Sequence, residues 1–270
     1  MGGLVLTRRR TPLGGLPPAR FGVRASRAGL TTHLTATQVE QARTIAPDAV
    51  AEYLIRVADE HGIGWGFRFE GLLPEVVSRS PLITAFIPIG KEPRTPAGTG
   101  DDLLDRPLSS LLPAGSFIGV PRRIPEQRDY LSVTTYDPDV LPLDSLLVIG
   151  TDTIVVFGWL SSRAFWLWSQ AVRNSAPSAT TYTAYTSFPA PHLSRKHKQA
   201  LELAVDTVLR SRSHLLDDSL RGLYGRMPDQ LKWAHDELDN VVNGLLGIHD
   251  DADDSTVIAS LIERYESLAA

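Results

Sequence analysis

The 270-residue chain contains no cysteine. Disulfide bonds, a thiolate nucleophile and cysteine-ligated zinc or iron–sulfur sites are therefore excluded. Any metal would have to be held by histidine, aspartate or glutamate side chains. A chain without disulfides fits a reducing compartment, and we predict a cytoplasmic location.

Long hydrophobic runs are also scarce. Near the amino terminus, the apolar residues Leu4 to Leu6 precede Arg8-Arg9-Arg10. This order and length suit neither a secretory signal nor a membrane span. We therefore predict no membrane partner.

The common catalytic signatures are missing as well. The sequence has no Gly-x-Gly-x-x-Gly, P-loop, Gly-x-Ser-x-Gly or His-Glu-x-x-His motif. It also has no Glu-x-Lys tripeptide of the kind found in metal-dependent nucleases, and no Asn-Pro-Pro-Tyr-like loop for gripping a flipped adenine. His235-Asp236-Glu237 does not predict a metal site, because adjacent helical residues point about 100° apart. We predict no catalytic residue and no activity of the chain alone.

Charge is balanced overall but unevenly distributed. The net charge of −4 argues against coating nucleic acid through bulk electrostatics. However, residues 1–31 carry six arginines and no acid, whereas Asp236 to Asp254 holds seven carboxylates and neither lysine nor arginine. Such asymmetry permits a basic face on an acidic molecule. The alternative for the arginine-rich segment is a solvated tail.

Local patterns predict an α+β fold, with a mixed sheet followed by a helical bundle. Thr35-x-x-Gln38 is a capping box that starts a helix running to about Ile45, and Pro47 starts a second helix that ends at Gly62. Strands are predicted at Trp65–Phe69, Leu82–Ile89, Phe117–Val120, Tyr130–Tyr136, Thr181–Ser187 and Leu146–Phe157, the last broken by a turn at Gly150-Thr151-Asp152. A loop is predicted at Gly90–Pro107, with a helical turn near Leu103 or at Leu108–Leu112.

The rest of the chain is predicted to be helical. Ser161 or Ser162 can cap a helix through Arg173, and three amphipathic stripes follow Pro191. The predicted division is a basic, disordered tail at residues 1–34, an α+β domain at 35–191 and a helical domain at 192–270.

Two groups of residues suit contact with DNA. Pro121-Arg122-Arg123 and Arg128-x-Tyr130 lie at a turn between predicted strands, where guanidinium groups can bind phosphates or guanine. A second group combines donors, acceptors and rings: Arg173, Thr181, Tyr182 and Tyr185. The alternative interpretations are solvated surface arginines and a polar edge strand.

Short segments in this order resemble signatures of one known family. They are Pro121-Arg122 with Arg128 and Tyr130, Phe157-Gly158-Trp159-Leu160-Ser161-Ser162, Phe165 to Trp168, Tyr185-Thr186-Ser187-Phe188-Pro189-Ala190-Pro191, Leu220-Arg221-Gly222-Leu223-Tyr224, Met227-Pro228, Leu231, Ala234-His235 and Leu238-Asp239. The family is that of the type IIL restriction-modification, adenine-specific DNA methyltransferases. The chain resembles their target-recognition domain and C-terminal helical region, from about Phe117 onwards.

The resemblance implies a non-catalytic DNA-recognition subunit or fragment of a restriction-modification methyltransferase. In this interpretation Arg122, Arg123 and Arg163 contact phosphates, whereas Arg173, Thr181 and Tyr182 meet base edges; His235 and Asp239 are packing and capping residues. Double-stranded DNA and a separate methyltransferase chain would be the partners. That catalytic region would bind S-adenosylmethionine, and no cofactor is expected here. The alternatives are an interaction or scaffold protein that kept the fold without binding DNA, and an enzyme of unrecognised mechanism.

Overall fold

The structure is a computed structural model that describes residues 6–7, 9, 11–25, 30–68, 106–124, 128–213, 215, 220–249 and 252–269. The chain forms two compact units. The helix-rich unit comprises residues 1–20, 116–135 and 147–270, and the sheet-rich unit comprises residues 21–115 and 136–146. These units do not coincide with the predicted divisions after residues 34 and 191.

The described elements alternate strands and helices in the first half and are helical in the second. After a 3₁₀ turn at Leu13–Gly15 they are, in chain order, β1 (Ala19–Phe21), β2 (Leu30–Leu34), α1 (Ala36–Ile45), α2 (Pro47–Tyr53), β3 (Leu54–Asp59), β4 (Gly62–Arg68), α3 (Leu108–Leu111), β5 (Phe117–Pro121), β6 (Thr134–Tyr136), β7 (Val140–Pro142), β8 (Leu146–Ile149), α4 (Ile154–Ser161), α5 (Arg163–Ser175), α6 (Thr181–Ser187), α7 (Arg195–Ser213), α8 (Leu220–Arg226), α9 (Asp229–Leu246) and α10 (Asp254–Ala269).

The sheet-rich unit contains a four-stranded sheet in the order β2-β4-β3-β7. β4 pairs antiparallel with both β2 and β3, and β3 pairs parallel with β7 through Arg56 opposite Val140. The predicted capping box is confirmed, since the Gln38 backbone N–H donates to Thr35 Oγ1 and the Thr35 N–H donates to Gln38 Oε1. α1 and α2 contribute Val39, Ala42 and Val50 to a core that includes Phe67.

The second predicted helix is shorter than expected. It starts at Pro47 but ends at Tyr53, and the chain continues as β3 instead of remaining helical to Gly62. Pairing explains the difference, because Leu54 to Asp59 form a hairpin with β4 in which Asp59 lies opposite Gly62. A cross-strand ladder outweighs weak helical periodicity here. The predicted strand at Leu82–Ile89 and most of the Gly90–Pro107 loop lie outside the described residues.

The helix-rich unit contains a second four-stranded sheet in the order β1-β8-β5-β6, together with α4 to α10. The predicted strand at Leu146–Phe157 is only partly correct: β8 ends at Ile149, the predicted break at Gly150-Thr151-Asp152 is present, and the part from Ile154 onwards is helix α4. Residues 156–161 of α4 are all buried. An apolar run buried on every side has no periodicity that separates strand from helix.

The predicted strand at Thr181–Ser187 is wrong, because this segment is helix α6. The hydroxyls of Thr186 and Ser187 donate to backbone carbonyls of Tyr182 and Thr183, which satisfies them within the helix. In addition, Trp168 Nε1 donates to the carbonyl of Ala184. Tertiary packing therefore overrides the β-propensity of this threonine- and tyrosine-rich segment.

The prediction of a disordered tail is wrong for residues 11–25. Leu13 is buried, and Gly14 lies so close to the backbone of Ala190 that an added Cβ would come 2.3 Å from its carbonyl oxygen. The Tyr185 hydroxyl donates to the carbonyl of Pro17 at 2.7 Å. Backbone packing rather than hydrophobic periodicity orders this glycine- and proline-rich segment.

Gly158 provides a test of the packing of α4 on α7. A Cβ at Gly158 would come 2.9 Å from side-chain atoms of Leu201 and Val205, both fully buried. We expect Gly158→Ala to lower the free energy of unfolding by about 1–3 kcal/mol, because overpacking forces neighbours to move. Urea denaturation of the purified chain measures this change.

Gly244→Ala is the matched control. Gly244 is also helical, in α9, but an added Cβ there would meet nothing within 4 Å. Alanine should leave stability unchanged or raise it by up to about 1 kcal/mol, as expected from helix propensity. Equal effects of the two substitutions would contradict the packing argument.

Candidate nucleic-acid interface

The structure joins two of the predicted DNA-contacting segments. The backbone N–H of Thr181, the first residue of α6, donates to the carbonyl of Arg122 at 3.0 Å. The Thr181 hydroxyl donates to the carbonyl of Pro121 at 2.6 Å. These two bonds fix the turn after β5 against the start of α6, which brings Arg122 and Arg123 close in space to Thr181 and Tyr182. We call Pro121 to Arg123 the arginine turn.

The accessible members of the predicted set differ in exposure. Arg123 is exposed, whereas Arg122, Arg128 and Tyr182 are half-buried. Arg173 is also half-buried and lies in the last turn of α5. The arginine turn, the end of α5 and the start of α6 therefore present side chains able to bind phosphate oxygens and base edges.

Three predicted DNA contacts are contradicted by burial. Thr181 and Tyr185 are 0% exposed and Tyr130 is 6% exposed. Each hydroxyl donates to a partner inside the chain, namely the carbonyl of Pro121, the carbonyl of Pro17 and the carboxylate of Asp239. Burial also raises the pKa of Tyr130 and Tyr185. The three hydroxyls are therefore engaged inside the chain.

Arg163, a predicted phosphate contact, is ion-paired within the chain. Its guanidinium lies 2.9 Å from Asp129 Oδ1 and 2.7 Å from Asp254 Oδ2. It also covers the ring of Trp166, with Cζ 4.4 Å from the ring centroid. Two carboxylates neutralise this charge within the chain, so little of it is left to attract a phosphate.

Asp239 links three parts of the helix-rich unit. Its Oδ1 accepts the backbone N–H of Arg163, the first residue of α5, at 2.7 Å. Its Oδ2 accepts the Tyr130 hydroxyl at 2.7 Å. The side chain of one helix, α9, thus satisfies a free donor at the start of another. This confirms the predicted capping role of Asp239.

His235, one turn earlier on α9, belongs to the same group of polar residues. Its ring lies 4.2 Å from the ring of Tyr130, centroid to centroid, and its Nε2 lies 2.9 Å from the Tyr224 hydroxyl. Burial, together with the positive charge of Arg212, lowers the pKa of His235 to about 3. The imidazole is therefore neutral at physiological pH, which agrees with its predicted packing role.

Arg212 completes this group. Its Nη1 donates to the carbonyl of Val133 at 2.7 Å and its Nη2 donates to the Tyr224 hydroxyl. The Tyr224 hydroxyl thus lies between the Arg212 guanidinium, from which it accepts, and His235 Nε2. We call Tyr130, Asp239, His235, Tyr224 and Arg212 the polar core. Arg212 was not predicted from the sequence, although it lies one turn after Val208 on the buried stripe of α7.

Neither a metal nor a membrane is indicated by the described residues. They contain no cluster of three or more histidine, aspartate or glutamate side chains that could hold a metal ion. Among them, no helix combines the length and apolar character needed to cross a bilayer.

Comparisons with known proteins confirm the predicted resemblance. Residues 108–192 match the family described as the target recognition domain of MmeI, and residues 193–270 match the C-terminal domain of MmeI. The chain is 26% identical over 279 residues to DNA methyltransferase A of Bacillus subtilis (strain 168), a match that covers 98% of this chain and 32% of that protein.

A solved structure confirms the α+β fold class. The type IIL restriction-modification enzyme MmeI, determined in complex with DNA, matches with a TM-score of 0.76 and 22% identity, over 98% of this chain and 37% of the MmeI chain. The chain thus spans about a third of the length of both relatives.

Asp239 predicts a dependence of stability on pH. Burial raises its pKa to about 7 from an ordinary value of 3.8, although the bonds from Arg163 and Tyr130 oppose the rise. Between these values the folded state holds a proton that the unfolded state has released. Relative to Asp239→Asn, the wild-type chain should therefore lose stability as pH rises from about 4 to 7, by up to about 1.4 kcal/mol per pH unit.

Chemical unfolding of the wild-type chain and Asp239→Asn at several pH values measures this difference. Tyr130→Phe removes one donor that favours the carboxylate, so it should move the window to higher pH. A difference between wild type and Asp239→Asn that does not vary with pH would show that Asp239 ionises normally.

Proposed function

We propose that this chain, whose residues 108–270 match the target-recognition and C-terminal domains of MmeI, recognises double-stranded DNA for a restriction-modification DNA methyltransferase. The observation that carries the proposal is the arginine turn fixed against α6 within the segment that matches the recognition domain. A cytoplasmic location agrees with DNA as the partner.

On the surface formed by the arginine turn, the end of α5 and the start of α6, different residues bind phosphates and read bases. Arg122 and Arg123 lie on a turn whose backbone is fixed by two bonds from Thr181, which gives both residues a rigid support. Such residues set the position of the protein on the duplex through phosphates. Arg173 and Tyr182 lie at the end of α5 and the start of α6, where an arginine can pair with guanine O6 and N7.

Methyl transfer belongs to a separate catalytic region. The chain has no glycine-rich turn for S-adenosylmethionine and no Asn-Pro-Pro-Tyr-like loop for a flipped adenine. We assign cofactor binding and base flipping to a methyltransferase region that works with this chain, whether within one polypeptide or as a partner. The role of the present residues is to bring that region to a DNA sequence.

Salt-dependent binding tests the proposal. The chain should bind duplex DNA in fluorescence anisotropy titrations, and the logarithm of its affinity should fall linearly with the logarithm of salt concentration between 50 and 200 mM, because phosphate contacts release counterions. If the chain bound no duplex over this range, alone or with a cognate methyltransferase chain, DNA recognition would be excluded and a scaffold role favoured.

Two substitutions separate phosphate contact from base reading. Arg122→Ala should weaken binding to all duplexes by a similar factor, because a phosphate contact carries no sequence information. Arg173→Ala should instead reduce discrimination among duplexes from a random library, by about 1–3 kcal/mol at the affected base pair. Arg210→Ala is the control, since Arg210 is ion-paired with Asp206 on α7. Uniform effects of both substitutions would contradict this division.

A further inference from the structure

The region from residue 153 to residue 201 contains no aspartate or glutamate, although it lies in a chain of net charge −4. It carries five arginines and lysines: Arg163, Arg173, Arg195, Lys196 and Lys198. The last three fall within four consecutive residues. The highest local density of positive charge in this region is therefore at the start of α7.

The backbone that carries these three cations is held in place. His197 N–H donates to Ser194 Oγ at 3.2 Å and Lys198 N–H donates to the Ser194 carbonyl at 3.0 Å, so the first turn of α7 is capped. Just before it, Phe188 to Ala190 are buried, and just after it Leu201 is fully buried. The backbone on both sides is thus held in the core of the helix-rich unit.

The side chains of all three cations are exposed, and none of them has an ion pair with another residue in the described part of the chain. Other helix-surface cations behave differently. Arg43 pairs with Glu40, Arg210 with Asp206 and Lys232 with Asp236, each one helical turn away. Arg195 and Lys196 have no carboxylate within four residues, and Lys198 forms no ion pair with Glu202, which follows it by four residues.

We propose that Arg195, Lys196 and Lys198, here called the basic helix start, bind the sugar-phosphate backbone of DNA outside the base-reading segment. This inference rests on the proposed DNA-recognition function. Positive side chains on the first turn of a helix add to the partial positive charge of its N-terminus, so phosphate is the favoured ligand. Contact with phosphates alone would add affinity without adding sequence preference.

A membrane surface fits these residues less well. Helices that bind lipid surfaces combine basic residues with an apolar face that enters the bilayer. In α7 the apolar residues Leu201, Val205 and Val208 are 0% exposed and form part of the protein core, and the exposed Leu203 and Leu209 lie six residues apart, about 120° from each other around the helix, so they form no continuous apolar face. The basic helix start therefore offers charge to a ligand but no apolar face.

The test is a triple substitution, Arg195→Gln/Lys196→Gln/Lys198→Gln, in the full chain. Each lost phosphate contact should reduce the slope of log affinity against log salt by about 0.9, so the affinity ratio between 50 and 200 mM salt should shrink about 40-fold for three contacts. Anisotropy titrations with a random-sequence duplex give the slope, and sequence preference in a library selection should stay unchanged.

The matched control is Arg43→Gln/Arg210→Gln/Lys232→Gln. It removes the same charge from helix surfaces where each cation already pairs with a carboxylate. The control should change the slope by much less than the basic-start triple substitution. Circular dichroism melting checks that both variants fold.

The outcomes separate this inference from the proposed function. If wild type binds DNA with salt dependence and the basic-start variant keeps the same slope, the inference fails and the proposed function stands. If the slope fell equally in the two triple variants, overall charge would explain the effect, and the inference would also be overturned. If wild type binds no duplex, both fail. If the basic-start variant kept the salt slope for DNA but lost binding to phosphatidylserine vesicles, the ligand of the basic helix start would be a lipid surface instead.

Discussion

The helix-rich unit depends on one partly buried carboxylate, that of Asp239. It accepts the first backbone N–H of α5 and the hydroxyl of Tyr130, which come from parts of the chain 76 and 109 residues away. Leaving these donors without an acceptor would cost about 1–3 kcal/mol each. Because α5 starts at this contact and carries Arg173 in its last turn, the carboxylate also determines where a predicted base-reading residue lies.

The contacts of Asp239 explain why several motifs of the family resemblance occur in this chain. Tyr130, Tyr224, His235 and Asp239 all belong to motifs that carried the resemblance, and all four lie in the polar core. These side chains satisfy one another in a medium where an unpaired polar group is costly. The motifs therefore identify a way of joining strands to a helical bundle, whereas Arg123, a proposed DNA contact, is exposed and lies outside the polar core.

Elements governed by local chemistry could be predicted, and those governed by tertiary contacts could not. The capping box at Thr35 and the cap at Ser162 were predicted because a side chain and a backbone donor lie within one turn. Helix α6 was missed because its hydroxyls bond within the helix and Trp168 packs against it, features that propensity does not contain. Likewise, burial of Tyr185 depends on Pro17, 168 residues away.

In this protein the local arrangement of charged residues matters more than the net charge. Total charge treats Arg163 and Arg195 as equal, but Arg163 lies between Asp129 and Asp254 whereas Arg195 faces solvent at the start of α7. Since Coulomb attraction weakens beyond a Debye length of about 8 Å at physiological salt, a phosphate responds to the nearest unpaired groups and little to distant carboxylates. A chain of net negative charge can therefore bind DNA, provided that its acidic residues pair with its own arginines elsewhere and that one short basic segment contains no acidic residue.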